Sequence, residues 1–290
     1  MYVPYVWLRV VCSIFSGLML IRFFIIFHDY QHHAILYRSD VADLIFSAFG
    51  IYMLTPPSIW KRSHDHHHNH NSKLFSASIG SFPIMTKQKF MEASESERRI
   101  YFAIRSPLNM VLAYFTMFLY GMCLQSFISS PRRHWDSLVT LIFHVSFAVF
   151  LFMHFGWLTW FLTFFIPFFL SHMTGAYLFY AQHNFPGVHF DSNVDWNYAT
   201  AAVESSSYMV MNPFLRWVTA NIGYHHVHHL NSRIPFYRLP EVMDKIPALQ
   251  HPTKTSLKIS DIIACLKLKL WDPDLKRMIT MKELKVVSSQ

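Results

Sequence analysis

At 290 residues the chain has room for one large domain or two small ones, and its composition decides the class: 52% hydrophobic, 28 Phe and only 14% charged. A soluble domain is nearer a quarter charged, so a bilayer is the expected solvent. The net charge of +8 fits cytoplasmic loops facing anionic lipid, and no basic, aromatic-stacking pattern accompanies it that would call for a nucleic acid partner.

Residues 6–27 form an apolar run of 22, about 33 Å long as a helix and enough to span a hydrocarbon core of about 30 Å. The run leads directly into "HDYQHH" at 28–33. His28 and His32 are four apart, so a helix continuing out of the membrane projects both from one face. The next apolar stretch, 41–59, ends in "TPP", which breaks a spanning helix, and is expected to be interfacial.

"RSHDHHHNH" at 62–70 follows, with His64, His67 and His68 in an HxxHH spacing. Its internal position and its interruption by Asp65 and Asn69 do not suit an expression tag. A loose metal-scavenging tract would stand alone, whereas 12 of the 19 histidines fall in 28–33, 64–70 and 225–229. That distribution favours one shared site on one membrane face.

Parity of crossings then makes 107–128 interfacial or re-entrant and puts Arg132 and Arg133 in the cytoplasm, in line with the positive-inside rule. Residues 137–155 and 157–181 are the other expected spans, meeting in a tight hairpin at Phe155-Gly156-Trp157. His225, His228 and His229 repeat the HxxHH spacing at 225–229. Toward the end, Ile259, Ile262, Ile263, Leu266 and Leu270 beside Lys258, Lys267 and Lys269 read as a basic amphipathic segment, 258–271, lying on the membrane. One crossing before His28 places Met1 outside without a positively charged leader, so a preceding span is expected rather than a secretory signal.

Eight imidazoles exceed what one metal accepts, so two metal ions follow; imidazole suits Zn, Cu, Fe and Ni alike. Cys12, Cys123 and Cys265 lie far apart with no CxxC spacing, so neither a thiolate metal site nor a disulfide framework is indicated. Asp29, Asp65, Asp191 and Asp195 are candidates to orient the rings, or are ordinary solvated loop acids. His33, His66, His70 and His226 are expected to be bystanders, His144, His154 and His172 packing residues, and His189 is an open case.

The residues "HDYQH", "SHDHHH" and "HHVHHL" resemble the three histidine boxes of the membrane fatty acid desaturase family. The text "LFYAQHNF", "TANIGYHHVHHL" and "SRIPFYRLPE" is most similar to its bacterial acyl desaturase branch. The resemblance runs from about Ile21 to Lys282. It implies nine metal ligands: His28, His32, His64, His67, His68, His183, His225, His228 and His229. It further implies two Fe ions that activate O2 and take hydrogens from adjacent methylenes of a fatty acyl or membrane lipid substrate. At 197–212 the chain departs from the family, with Ala199, Ser207 and Met209 where polar or histidine residues are expected, which bears on substrate positioning.

The expectation is thus an all-α integral membrane protein, 1–290 as a single domain: a multi-pass helical bundle with a cytoplasmic histidine-rich cap. Electrons would come from a small external carrier, ferredoxin or cytochrome b5-like, because no GxGxxG and no cysteine cluster supplies a fused one. The competing readings are a lipid or carotenoid hydroxylase or ketolase on the same scaffold, and a histidine-rich membrane metal transporter. A transporter would hold its ligands inside the spans rather than at their exits.

Overall fold

The computed structural model describes residues 3–74, 80–192 and 194–287. Helices in chain order are α1 (Val6–Gln31), α2 (Asp40–Tyr52), α3 (Pro57–Asn69), α4 (Lys87–Glu92), α5 (Glu95–Ile104) and α6 (Pro107–Val111). A π-helical stretch, Tyr114–Gln125, precedes α7 (Ser126–Ser129) and α8 (Trp135–Trp160); a second, Phe161–Phe165, leads into α9 (Ile166–His183). After it come α10 (Tyr198–Glu204), α11 (Pro213–Val218), α12 (His225–Leu230), α13 (Leu239–Lys245), α14 (Ile259–Lys267) and α15 (Met281–Val287). Five short strands complete the fold: β1 (Met85–Thr86), β2 (Tyr208–Val210), β3 (Lys254–Ser256), β4 (Leu268–Asp272) and β5 (Arg277–Thr280).

The chain divides into two compact units. The first comprises Met1–Arg62, Met110–Ala176 and Val218–Ala220, with an aromatic core that includes Phe27, Phe46, Phe49, Tyr114, Phe164 and Phe168. Its long helices are polarised the opposite way from those of a soluble protein. In α8 the outward residues include Leu138, Val139, Ile142, Phe143, Val145 and Val149, while the buried ones include Ser137, Thr140 and His144. In α1 the buried line is Ser13, Gly17, Ile21, Ile25 and His28, four or three apart, so one helical face turns inward. Gly17 admits close packing there: a Cβ would stand 3.0 Å from Leu170 Cδ2 and 3.2 Å from the Pro167 carbonyl oxygen. The mainly polar inward face of α8, with apolar side chains outside, is what a lipid solvent selects.

Among the described residues two helical segments are long and apolar enough to cross a membrane, Val6–Gln31 and Trp135–His183. The second reverses at Gly156, whose φ of 77° suits a residue without a Cβ. Past that turn Phe164 stands 5.9 Å from Phe147 and Phe168 stands 5.0 Å from His144, centroid to centroid. A straight helix would hold residues 24 apart at about 36 Å, so the hairpin expected at 155–157 is formed. The stretch 41–59 is likewise not one helix: α2 ends at Tyr52, Leu54 takes a φ of 57°, and Pro57 opens α3, the break that "TPP" announces.

The second unit comprises Ser63–Asn109, Tyr177–Trp217 and Asn221–Gln290. It adds sheet to what the sequence reads as all-helical. β4 and β5 form an antiparallel hairpin and β1 pairs parallel to β4, with Met85 opposite Leu270; β2 and β3 pair parallel. The expected amphipathic segment 258–271 is therefore helical only over Ile259–Lys267. Leu268, Leu270 and Trp271 leave the helical face for the sheet, where they are buried. A run this short satisfies a period of 2 as well as one of 3.6, and the ladder bonds to β1 and β5 decide between them.

Candidate metal centre

Seven of the nine sequence-derived ligands lie in the second unit, on three elements. His64, His67 and His68 project from one face of α3, because positions 0, 3 and 4 of a helix share a face. His183 is the last residue of α9. His225, His228 and His229 come from α12, a helix of only six residues that needs anchoring from outside. The anchors are at its start: Met209 N–H donates to the Gly223 carbonyl (2.8 Å), and Gln182 Nε2 donates to the Ile222 carbonyl (2.9 Å). A side chain at Gly223 would force the backbone to shift, since a Cβ would lie 2.5 Å from the Met209 carbonyl oxygen.

The imidazoles converge in two adjacent groups. In one, His67, His183, His225 and His229 bring ligand atoms within 4.8 Å of one another, with Nε2 to Nε2 separations of 3.1 Å (His67 to His183), 2.8 Å (His183 to His225) and 3.1 Å (His225 to His229). In the other, His68 Nε2 lies 3.1 Å from His64 Nε2 and 3.2 Å from His228 Nε2. The His68 and His229 rings stack at 4.2 Å where the two groups meet. Metal–nitrogen bonds of about 2.1 Å at right angles put nitrogens about 3.0 Å apart, so the spacing suits a shared ion in each group. The all-nitrogen donor set suits iron, zinc, copper or nickel. The remaining pair, His28 and His32, belongs to the first unit, at the end of α1, with ring centroids 4.7 Å apart.

For Nε2 to bind a metal, Nδ1 must carry the proton, and for three of the nine rings the structure places an oxygen against it. His67 Nδ1 pairs with Ser81 Oγ, and His183 Nδ1 donates to the Ser205 carbonyl at 3.2 Å. In the first unit His28 Nδ1 faces Asp29 Oδ1 at 3.4 Å. His225, His228 and His229 are almost fully buried. Burial, reinforced by the neighbouring His68, His225, His183 and His67, holds His229 well below the ordinary imidazole range. It is therefore neutral near pH 7, as a metal ligand must be.

The other histidines have separate partners. His226 Nε2 reaches the Leu249 carbonyl, and burial pushes its ring down to about 4. His66 and His70 stack on each other at 3.9 Å. His172 sits between the Phe168 and Met53 carbonyls, and His144 meets the Tyr114 hydroxyl at 2.6 Å inside the aromatic core. His189 pairs with Asp191, so that acid is spent on a histidine outside both groups, and Asp195 binds Ser192. In the divergent stretch 197–212, Met209 fills the core and Ser207 bonds to Thr255.

The sequence reading missed Ser81 and Ser205, and it missed a fully buried cation, Arg105. Arg105 donates to the Pro83 carbonyl (3.0 Å), Asn184 Oδ1 (2.6 Å) and the Tyr180 hydroxyl (3.2 Å). Its only sequence signal is an arginine two residues before a proline, which does not single it out.

The sequence model of the fatty acid desaturase family matches residues 5–257. Among characterised proteins, the chain is 30% identical over 279 residues to a fatty acid desaturase of Bacillus subtilis, covering 96% of this chain and 79% of that one. It is 25% identical to the sn-1 oleoyl-lipid 12-desaturase of Synechocystis, over 78% of this chain and 64% of the relative. It is 23% identical to the chloroplastic omega-6 fatty acid desaturase of spinach, over 77% and 50%.

Proposed function

The chain belongs to the fatty acid desaturase family of oxidoreductases, and from that premise we propose that it introduces a double bond into a fatty acyl chain using O2 and externally supplied electrons. The observation that carries this reading is the pair of adjacent imidazole groups, since an unactivated C–H bond is beyond any side-chain acid or base. Two irons, when bound, supply the oxidising power. In the overall balance two hydrogens leave adjacent methylenes, a donor contributes two electrons, two protons are taken up from water, and O2 leaves as two waters.

The chain's own residues hold and orient the centre. His64, His67, His68, His183, His225, His228 and His229 serve as ligands, and His28 and His32 complete the set of nine. Ser81, the Ser205 carbonyl and Asp29 fix the tautomers of their partners. The apolar α1 and the α8 to α9 hairpin carry the protein in the membrane with the histidines toward the cytoplasm, where a small acidic electron carrier of the ferredoxin or cytochrome b5 type meets the basic surface.

Expression in a host lacking desaturases, with fatty acid analysis of its lipids, tests the reading. New double bonds are expected from the wild type and none from His67→Ala or His228→Ala. Hydroxylated or keto products alone would replace desaturation by another oxygenase reaction, and full activity in both variants would refute the ligand assignment.

A further inference from the structure

Beside His183, the second unit encloses a cavity of about 30 Å³ whose polar lining includes Arg105, Ser72, Asn184, Ser81 and Ser205. Arg105 has no exposed surface at all, and no carboxylate of the described residues lies within hydrogen-bonding reach of it. Its neighbours are carbonyls, an amide oxygen and the faces of Tyr101 and Tyr180, 5.6 and 5.1 Å from the guanidinium carbon. A buried charge so placed is costly unless something of opposite sign completes its shell.

Two of the side chains that line this cavity carry an unpartnered polar atom, Nε of Arg105 and the hydroxyl of Ser72, the latter on a residue only 3% exposed. Both can donate hydrogen bonds, and a ligand that satisfies a guanidinium N–H and a hydroxyl together is an acceptor. The volume matches one or two waters, each needing roughly 10–15 Å³, or one ion of similar size. A second cation stands behind Arg105: Lys269 Nζ donates to the Arg105 carbonyl, and burial first, then Arg105, pushes that amine down to about 8.

We propose that this cavity binds a single small monovalent anion of halide size, held by Arg105 Nε and Ser72 Oγ, as the counterion of the buried guanidinium. Placed beside His183 and Ser81, the anion also offsets positive charge next to the imidazole group that contains His67 and His183. The site does not depend on what reaction the protein catalyses, so the product assay above and the test below fail separately.

The test uses the purified, metal-loaded wild type and bromide as probe. Thermal unfolding is followed while bromide replaces gluconate at constant ionic strength, and bromide-soaked crystals are examined by anomalous scattering. The midpoint is expected to rise along a saturation curve, with a bromine peak beside Arg105. Ser72→Ala, which leaves only a small space, should raise the half-saturating bromide concentration roughly tenfold through loss of one charge-assisted hydrogen bond. Arg105→Gln should abolish the bromide dependence; if it does not accumulate, the wild-type titration and Ser72→Ala decide. Equal midpoints in the two salts, water alone in the cavity, or a peak among the imidazoles instead of beside Arg105 would each overturn the proposal.

Discussion

Ser81 Oγ against His67 Nδ1 is a small contact with a defined consequence, because when Ser81 Oγ accepts from Nδ1–H, Nε2 is bare toward His183. Outer hydrogen bonds of this kind typically contribute 10- to 100-fold in metal affinity. Ser81→Ala is therefore expected to lose metal to a competing chelator at roughly 10- to 100-fold lower chelator activity than the wild type, while Ser81→Thr, which keeps a hydroxyl, recovers most of the difference. Metal content after equilibration with graded chelator checks this, and a Ser81→Ala curve overlying the wild type would show the contact to be incidental. The proposed ligands and their orienting partners differ in legibility for a physical reason. His64, His67 and His68 announce themselves because helical spacing is local in sequence. Ser81 lies 14 residues from the ring it meets, and the Ser205 carbonyl 22 residues from His183, distances over which no periodicity carries information.

Among the elements that carry the histidines, α12 is the one least able to stand alone. Six residues fall well short of the length at which an isolated helix persists, so the direction of His225, His228 and His229 depends on contacts from outside, among them the strand contact just before them and the Tyr198 hydroxyl, which donates to the His229 carbonyl. Gly223 is where β2 approaches closest. An alanine Cβ there would stand 2.5 Å from the Met209 carbonyl oxygen and must push the two backbones apart, although the backbone angles tolerate alanine. Gly223→Ala is accordingly expected to cost about 1–3 kcal/mol, as overpacking does, and to lose metal out of proportion to that, because the shift falls two residues before His225. Thermal unfolding beside metal stoichiometry separates the two effects; full metal content in a destabilised Gly223→Ala protein would mean that α12 is positioned from elsewhere. The hairpin at Gly156 and the break at Pro57 were readable because glycine and proline act on their own backbone. β4 was not, since Leu268 and Leu270 suit both periods and the choice rests on strands at 85–86 and 277–280.

For the whole chain, the inverted polarity of the long helices is the feature that composition foretold and that the structure gives a direction. His144 is buried against Tyr114, while Val145, the next residue of α8, is 57% exposed among other apolar side chains. In water that arrangement would leave a broad apolar face exposed and mark an aggregation hazard; in lipid it is the low-energy arrangement, since the outward side chains displace only other hydrocarbon. The two environments respond in opposite ways to a charge at Val145. On a water-exposed face an arginine is close to neutral, whereas near the middle of a spanning helix it costs about 2.5–3.5 kcal/mol on insertion scales. Val145→Arg is thus expected to accumulate poorly and to be released from membranes by alkaline carbonate, with Val145→Leu behaving as the wild type. Carbonate extraction followed by quantification of the pellet measures it. A Val145→Arg protein as abundant and as resistant as the wild type would place α8 outside the hydrocarbon, and with it would fall the assignment of the α8 to α9 hairpin as a membrane anchor.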